Sequence, residues 1–377
     1  MGPFSRRSLL AGAVAGLSGC AARRVALIPP SVPEARLAPV QVASERVIRT
    51  VVGLRPFRPS GFVVRAEKLD DKLLIHNYGH GGAGITLSWG TAQLAVELAQ
   101  ASEARQCAVI GCGVVGLATA RLLQLRGYRP AIYARDLPPA TTSNIAGGLW
   151  SPVTVFDEER TTPEFRSQFT AAARFAFRRY QSMAGAQYGV RWMPVYSLSN
   201  SGPHQPPGPE SPYSAIEPLY PDARQLTARE NPFPAPFAHR RYSMLIEPSI
   251  YLNALLRDVE LAGARIMVRD FASVRDLAAL PEALVFNCTG LGSRALFGDR
   301  ELTPIRGQLT FLLPQPEVNY MTIGPGDIYM FPRQDGILLG GTHERDNWNT
   351  EPDAATMERV LRENAAALTL RRPDRTA

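Results

Sequence analysis

The stretch 107–116, Cys-Ala-Val-Ile-Gly-Cys-Gly-Val-Val-Gly, limits what this chain can fold into more than any other. The apolar run 107–110 reads as a buried parallel strand. Gly111, Gly113 and Gly116 follow in G-x-G-x-x-G spacing, and 117–127 continues with a helical period to a glycine stop. In such a turn the first glycine permits the tight bend and the second lets a pyrophosphate approach the backbone. The third lets helix and strand pack closely. The helix N-terminus then offers unpaired N–H groups to phosphate. Residues 129–134 supply the second parallel strand of a nucleotide-binding βαβ unit. The residue closing that strand ordinarily holds a ribose with a carboxylate. Here it is Arg135, with Asp136 beside it, which argues against NAD. Thr141, Thr142 and Ser143 supply hydroxyls nearby, and Asn287-Cys288-Thr289-Gly290 follows another apolar strand that points to the same nucleotide.

A chain of 377 residues, 45% of them hydrophobic, has room for one two-lobed domain or two ordinary ones. Its net charge of +7 is mild for that length and argues against a nucleic-acid partner. The cysteines at 20, 107, 112 and 288 have no metal spacing. The last three sit in apolar settings, so neither a metal nor a structural disulfide is expected. His76, His80 and His343 also lack metal spacing and read as hydrogen-bonded loop histidines. No Ser-His-Asp or paired-carboxylate arrangement stands out.

The first segment reads as an export address. Ser5-Arg6-Arg7-Ser8-Leu9-Leu10 is similar to a twin-arginine signal, and the apolar run 9–17 is too short to span a bilayer. Leu17-Ser18-Gly19-Cys20 is similar to a lipobox. Together they lead us to expect an exported, periplasmic protein that touches the membrane only through a lipid on Cys20.

Residues 23–43, rich in Pro, Ala and Val, read as a flexible or extended linker. A strand is expected at 45–52, then an irregular stretch at 53–61 because of Pro56 and Pro59. Strands at 62–67 and 72–77 flank an Asp70-Asp71 hairpin turn. Glycines 79, 81, 82 and 84 open a helix to about Ala101, a second glycine-rich loop feeding a helix. Residues 138–150 read as a loop, 162–183 as a helix, 191–198 as a strand and 200–212 as an exposed loop. A helix at 252–261, core strands at 264–268 and 284–288, mixed-sheet strands at 309–313, 328–332 and 336–341, and a helix at 354–368 complete the reading.

Arg55 and Arg58 lie in Gly-Leu-Arg-Pro-Phe-Arg-Pro. An arginine stiffened by a neighbouring proline suits a bidentate carboxylate. Taken alone, each reads more simply as an ion-paired or surface arginine, and Tyr329 as a strand tyrosine.

Several separate stretches resemble the D-amino-acid oxidases, FAD-dependent enzymes that include D-aspartate oxidases. They are Val109-Ile-Gly-Cys-Gly-Val-Val-Gly-Leu117, Ala134-Arg-Asp-Leu-Pro138, Thr141-Thr-Ser-Asn-Ile-Ala-Gly-Gly-Leu-Trp150, Asn287-Cys-Thr-Gly290 and Arg306-Gly-Gln308. Ile328-Tyr-Met-Phe-Pro332 and Gly340-Gly-Thr-His-Glu-Arg-Asp-Asn-Trp348 resemble the family's substrate-side strands. Gly53-Leu-Arg-Pro56 and His76-Asn-Tyr-Gly-His-Gly-Gly-Ala-Gly-Ile-Thr-Leu-Ser-Trp89 resemble its C-terminal end, yet here they come first. The resemblance therefore implies an α/β fold, a Rossmann-like FAD-binding domain with a mixed-sheet substrate domain, in circularly permuted order. It implies a signal at 1–19, a linker at 20–44, and substrate-domain strands at 45–75 moved to the front. The FAD-binding core would occupy 76–150 and 264–298, the substrate domain mainly 151–263 and 299–353, and 354–377 a helix and tail.

The resemblance also implies roles. Gly111, Gly113, Val114, Val115 and Gly116 would cradle the FAD pyrophosphate. Arg135 and Asp136 would lie near the adenosine, Thr141, Thr142 and Ser143 near the phosphates, and Gly147, Gly148 and Leu149 along the flavin. Phe271 and Thr289 would touch the adenine-side half. Gly81, Gly82, Ala83, Gly84, Ile85 and Thr86 would close over the flavin ring. Arg55 would fork onto a substrate carboxylate with Tyr329 beside it, and the Gly82 carbonyl would accept from the substrate amine. The implied substrate is a small D-amino acid, with O2 or a membrane quinone as electron acceptor. His343 with Arg345 would suit an acidic side chain, whereas a neutral pocket is the simpler reading. A flavin-retaining surface protein without activity is the other class left open.

Overall fold

The structure is a computed structural model in which residues 37–371 are described. The signal, Cys20 and the linker up to residue 36 lie outside the described residues. In chain order, β1 (Val47–Phe57) is followed by the hairpin β2 (Val63–Leu69) and β3 (Lys72–Tyr78). Then come α1 (Gly84–Leu98), β4 (Gln106–Ile110), α2 (Val114–Leu125), β5 (Arg129–Ala134), the one-turn α3 (Thr142–Ile145) and α4 (Pro163–Gln181). β6 (Val190–Ser199), β7 (Arg224–Gln225), β8 (Phe237–Ile246), α5 (Pro248–Leu261), β9 (Arg265–Val268), α6 (Val274–Ala278), β10 (Leu284–Asn287) and α7 (Gly292–Leu296) follow. The last elements are β11 (Thr303–Leu312), β12 (Met321–Ile323), β13 (Tyr329–Arg333), β14 (Gly336–Gly340), β15 (Glu344–Arg345) and α8 (Ala354–Ala367).

Two sheets organise these elements. The first has six strands in the order β2-β3-β10-β4-β5-β9, parallel except for β2. Its inner strands β10 and β4 are buried along nearly their whole length, as a sheet covered on both faces requires. α1, α2, α4 and α5 pack on one face around Trp89, Leu117, Phe169 and Tyr251, all fully buried. Pro163 at the first turn and the Thr162 hydroxyl, accepting from Phe165 N, start α4 where its period begins. The second sheet has nine strands, ordered β1-β11-β14-β13-β12-β6-β8-β7 with β15 on β11. It is antiparallel apart from the β12–β6 pair.

Four expectations change. β1 runs through Gly53 and Pro56 to Phe57, so 53–57 is strand and not irregular. It is the edge of its sheet, where the N–H that proline lacks leaves no ladder position open. β3 pairs with β10 and β2 with β3, so the six-stranded sheet begins at Val63 rather than at residue 76. β9 is an edge strand rather than a core one, with Val268 71% exposed. Residues 37–43 are not a free linker: Leu37, Ala38, Val40 and Val42 pack on the cluster beneath β13 and β14. Gln41 N donates to Gln315 Oε1 at 2.8 Å and Tyr320 donates to the Ala38 carbonyl at 2.9 Å.

Candidate functional site

Strands β3, β10, β4 and β5 all end at one edge of the parallel sheet, and each runs into a stretch singled out above. At the central turn, Gly111 has φ +113° and donates to the Tyr133 carbonyl at 2.7 Å. A Cβ there would sit 2.5 Å from the Cys288 carbonyl, and one at Gly116 would collide with the Gly111 carbonyl. The protein's own packing therefore requires these two glycines. Gly113 differs: a Cβ there would meet only Ser143 Oγ, at 3.2 Å. Its side of the turn is left free for something other than protein. No side chain of Gly113 or its helix caps α2, and Val114 N donates to Ser143 Oγ at 3.0 Å. A helix start with no side-chain cap of its own, an open glycine and the Ser143 hydroxyl at its first N–H fit a dinucleotide pyrophosphate. Val115 is half-buried on the same first turn.

Around this turn, Thr289 Oγ1 donates to Asn287 Oδ1 at 2.8 Å and shares a bond with Ser293 Oγ at 2.8 Å. Arg135 and Asp136 pair with each other at 2.9 Å on the surface. Thr141 Oγ1 donates to Asn144 Oδ1 at 2.7 Å, whereas Thr142 is exposed. Phe271 lies edge-on to Tyr133 beyond the end of β5, at 6.1 Å between centroids.

The second glycine loop is held by Thr154. Gly82 N donates to the Thr154 carbonyl at 3.0 Å, and a Cβ at Gly81 or Gly82 would collide with Thr154. Ala83 and Ile85 are buried in the helical layer. Thr86 Oγ1 accepts from Ser151 N at 3.3 Å and reaches the Leu149 carbonyl at 3.4 Å. The exposed Gly82, and Gly84 with nothing within 4 Å of a Cβ, are what this loop leaves free. Gly147 lies against the Phe331 ring, 2.9 Å from a Cβ position, and so brings its backbone onto the second sheet. Gly148, at φ +96°, accepts from Ile246 N at 2.7 Å, and Leu149, like Ile145 and Tyr329, packs on the cluster around Val195, Leu245 and Phe331.

That face of the second sheet carries Arg55 and Tyr329. The Arg55 guanidinium lies over Gly307 of β11, where a Cβ would sit 2.5 Å from Nη2. Its one protein hydrogen bond is a long one, 3.4 Å to the Thr342 carbonyl, and among the described residues it has no carboxylate partner. The Tyr329 ring covers Gly340, its register partner on β14, so closely that a Cβ there would collide with it. Phe331 stacks on Tyr329 at 4.8 Å. Glycine inside a strand marks a close approach, and here two glycines seat the two side chains. Their role was hidden in the sequence; Gly307 within Arg306-Gly-Gln308 and Gly340 before Gly341 were the available signals. His343 is close enough for Arg55 to act on it, and burial first, then Arg55, lower its pKa. Arg345 is engaged elsewhere: it grips Asp157 with both nitrogens, at 2.7 and 3.0 Å, and lies over the Phe57 ring.

Arg58, three residues beyond Arg55, is fully paired. It donates to Asp299 at 2.8 Å, Glu301 at 2.7 Å, Ser60 Oγ at 2.9 Å and the Gly61 carbonyl at 2.9 Å. Of the two arginines, only Arg55 has a free fork. No group of His, Cys, Asp and Glu that could hold a metal occurs among the described residues, and Cys107, Cys112 and Cys288 are free and buried.

The family model of FAD dependent oxidoreductases matches residues 32–98 and 106–375. The chain belongs to this family. FAD is therefore its cofactor, and the open Gly113 side of the turn is where this chain's residues fit it. A D-amino-acid oxidase of Streptomyces coelicolor is 33% identical over 264 residues, 68% of this chain and 76% of that one. A D-amino-acid oxidase of Rubrobacter xylanophilus is 31% identical over the same shares. In three dimensions, glycine oxidase from Bacillus cereus superposes with a TM-score of 0.50 at 15% identity, over 70% of this chain and 78% of that one, a likeness of fold.

Proposed function

We propose that this chain is a D-amino-acid oxidase, converting small D-amino acids to 2-oxo acids with release of ammonia. The observation that carries the reading is Arg55, an unpaired guanidinium beside Tyr329 on the face that Gly147 approaches. A guanidinium without a carboxylate of its own is a receptor for one. Arg55 and the Tyr329 hydroxyl fix the substrate carboxylate, and the Gly82 carbonyl accepts from the amine. This holds the α-hydrogen in one orientation, so positioning rather than side-chain acid–base chemistry accounts for the rate. A bound FAD would supply the acceptor for that hydride, O2 would take the electrons as hydrogen peroxide, and water would hydrolyse the imino acid to the 2-oxo acid and ammonia. Gly111, Gly113, Val114, Val115 and Gly116 hold its pyrophosphate, with Thr141, Thr142, Ser143 and Thr289 supplying hydroxyls. Arg135, Asp136 and Phe271 line the adenosine end, and Gly147, Gly148, Leu149 and residues 81–86 the ring. The names of the two relatives support this reading.

We further propose that the chain is a circular permutation of its relatives. The family match breaks at 99–105, where α1 reaches β4 across a short join. The two described ends converge: Leu37, Ala38 and Leu370 pack on one apolar cluster. A version re-opened after Ala101 and closed by a linker between Arg371 and Leu37 is expected to fold and hold FAD. Its failure to do so would argue against the permutation. Export and lipidation at Cys20 complete the proposal, checked by labelling with a fatty-acid analogue. For the activity, anaerobic bleaching of the yellow protein by D- but not L-amino acids is the expected result. Flavin unmoved by any amino acid overturns the oxidase reading, and bleaching with little peroxide in air assigns the electrons to another acceptor.

A further inference from the structure

Beside the Gly82 loop the surface opens into a cleft of about 680 Å³, far larger than the space a single small amino acid fills. Ser151, Pro152 and Val153 form one wall, and the Val153 carbonyl lies 3.5 Å from the Cβ position of Gly82. One wall of the cleft therefore lies against the Gly82 loop, whose carbonyl takes the substrate amine in the oxidase reading. Tyr213, Ile216 and Tyr220 give it an apolar, aromatic floor, and the loop 202–211 rims it. At the far end stands Arg241. Its guanidinium covers the Tyr220 ring at 3.9 Å. Its Nε is buried with no hydrogen-bond partner, and among the described residues it forms no ion pair. By register, Arg241 pairs with Val195, Val195 with Met321, and Thr322 with Met330 on the next strand. Arg241 thus stands three strands from the row of Tyr329 and Phe331, roughly 14 Å at the usual strand spacing. Reach from both side chains leaves a gap that several methylenes would bridge.

The same cleft holds carboxylates. Glu217 is half-buried beside Tyr220, and the His204 ring nitrogen Nε2 is 3.7 Å from its carboxylate, beyond hydrogen-bond length. Glu158 already accepts from Ser211 Oγ at 3.0 Å. An unpaired guanidinium and a weakly engaged carboxylate, separated from the oxidation site by an aromatic floor, are a receptor for a second ammonium-carboxylate head. We propose that the preferred substrate is a long D-amino acid whose side chain ends in a second amino-acid centre. Arg241 takes the distal carboxylate, Glu217 takes the distal ammonium, and Tyr213 and Tyr220 cover the methylenes. The proposal rests on the oxidase reading and names the substrate class for that same site.

The test uses the FAD-loaded enzyme and four compounds with matched chain lengths. These are D,D-2,6-diaminoheptanedioate with both distal groups, D-lysine without the distal carboxylate, D-2-aminoheptanedioate without the distal amine, and D-norleucine with neither. Anaerobic flavin reduction at varied concentration yields a Kd and a limiting rate for each. The two-headed compound is expected to bind at least tenfold more tightly than D-norleucine, with D-lysine and D-2-aminoheptanedioate between them. Arg241→Gln is expected to reduce that preference about tenfold, acting on Kd for the two compounds with a distal carboxylate. Glu217→Gln is expected to act on the two with a distal amine. Equal Kd values for D-norleucine and the two-headed compound overturn the proposal while leaving the oxidase reading intact. So does an Arg241→Gln variant that weakens all four alike, the signature of a structural role. Flavin that no D-amino acid reduces overturns the oxidase reading, and this proposal with it.

Discussion

Arg55, within β1, and Arg58, one residue past its end, lie three residues apart beside Pro56 and Pro59, yet the chain treats them oppositely. Arg58 donates to two carboxylates, a hydroxyl and a carbonyl, and ties the end of β1 to the segment before β11. Arg55 has one long hydrogen bond and no carboxylate. Both side chains are charged, both are stiffened, and the sequence around them is nearly a repeat. What separates structure from function here is whether the protein supplies the counter-charge or leaves it to a ligand.

Removing each in turn breaks the comparison most sharply. On the proposed reading, Arg55→Ala deletes a bidentate, charge-assisted contact to the substrate carboxylate, at roughly 1.5–3 kcal/mol per hydrogen bond. We expect kcat/KM for D-amino acids to fall on the order of 10²–10⁴-fold, mainly through KM, with flavin content and Tm unchanged. Normal turnover by this variant would refute the assignment.

Arg58→Ala leaves Asp299 and Glu301 facing each other with little exposure and no cation. Breaking a buried pair on one side costs about 3–5 kcal/mol, and the partial exposure of Glu301 places this case at the lower end. We expect a loss of about 3 kcal/mol in denaturant melts and little change in KM for the protein that remains folded. If Arg58→Ala raised KM and left stability alone, the two arginines would have to exchange roles.

The sequence could not have separated these two arginines, because the carboxylate partners of Arg58 lie more than 240 residues away. What was legible was local. The glycine turn, its strand and its helix were readable because period and spacing are set within twenty residues, and β5 falls on 129–134 as expected. β8 was missed because His239, Arg240 and Arg241 interrupt its apolar pattern. Arg241 lines the cleft, His239 stacks on His204 and Arg240 pairs with Asp222, so each polar residue has a partner or a site that lies far off in the sequence. Residues 37–43 were misread for the opposite reason: their Leu, Ala and Val have no period, yet Leu37, Ala38, Val40 and Val42 find the cluster beneath β13. The seating of Arg55 and Tyr329 on Gly307 and Gly340 depends on register between β1, β11, β13 and β14, which no single stretch encodes.

Tyr329→Phe tests whether the partner of Arg55 acts through its hydroxyl or its ring. The ring stacks on Phe331 and covers Gly340, contacts that phenylalanine preserves. Only the hydroxyl is lost, worth about 1.5 kcal/mol to a carboxylate. We expect KM to rise roughly tenfold with kcat nearly unchanged. A fall in kcat alone would move Tyr329 from holding the substrate to aligning the hydrogen that leaves it.

The smallest effect sets His343, beside Arg55, against His80 in the core. Burial lowers the pKa of His80 from 6.5 to about 3, and that of His239 to about 4, so both are neutral in the folded chain. The unfolded chain protonates them below pH 6.5 while the folded chain does not, so stability rises with pH across that window. On acidification from 6.5 to 4 each histidine costs up to about 1.4 kcal/mol per pH unit. His343 shifts in the same direction, with Arg55 as a cause second to burial. Replacing Arg55 by Ala removes that cation and is expected to raise the His343 pKa, which proton NMR of its ring reads directly. His80, which burial alone shifts, is expected to stay where it is in the same spectra. An unmoved His343 would mean that burial alone sets its charge and that the Arg55 fork points away from it.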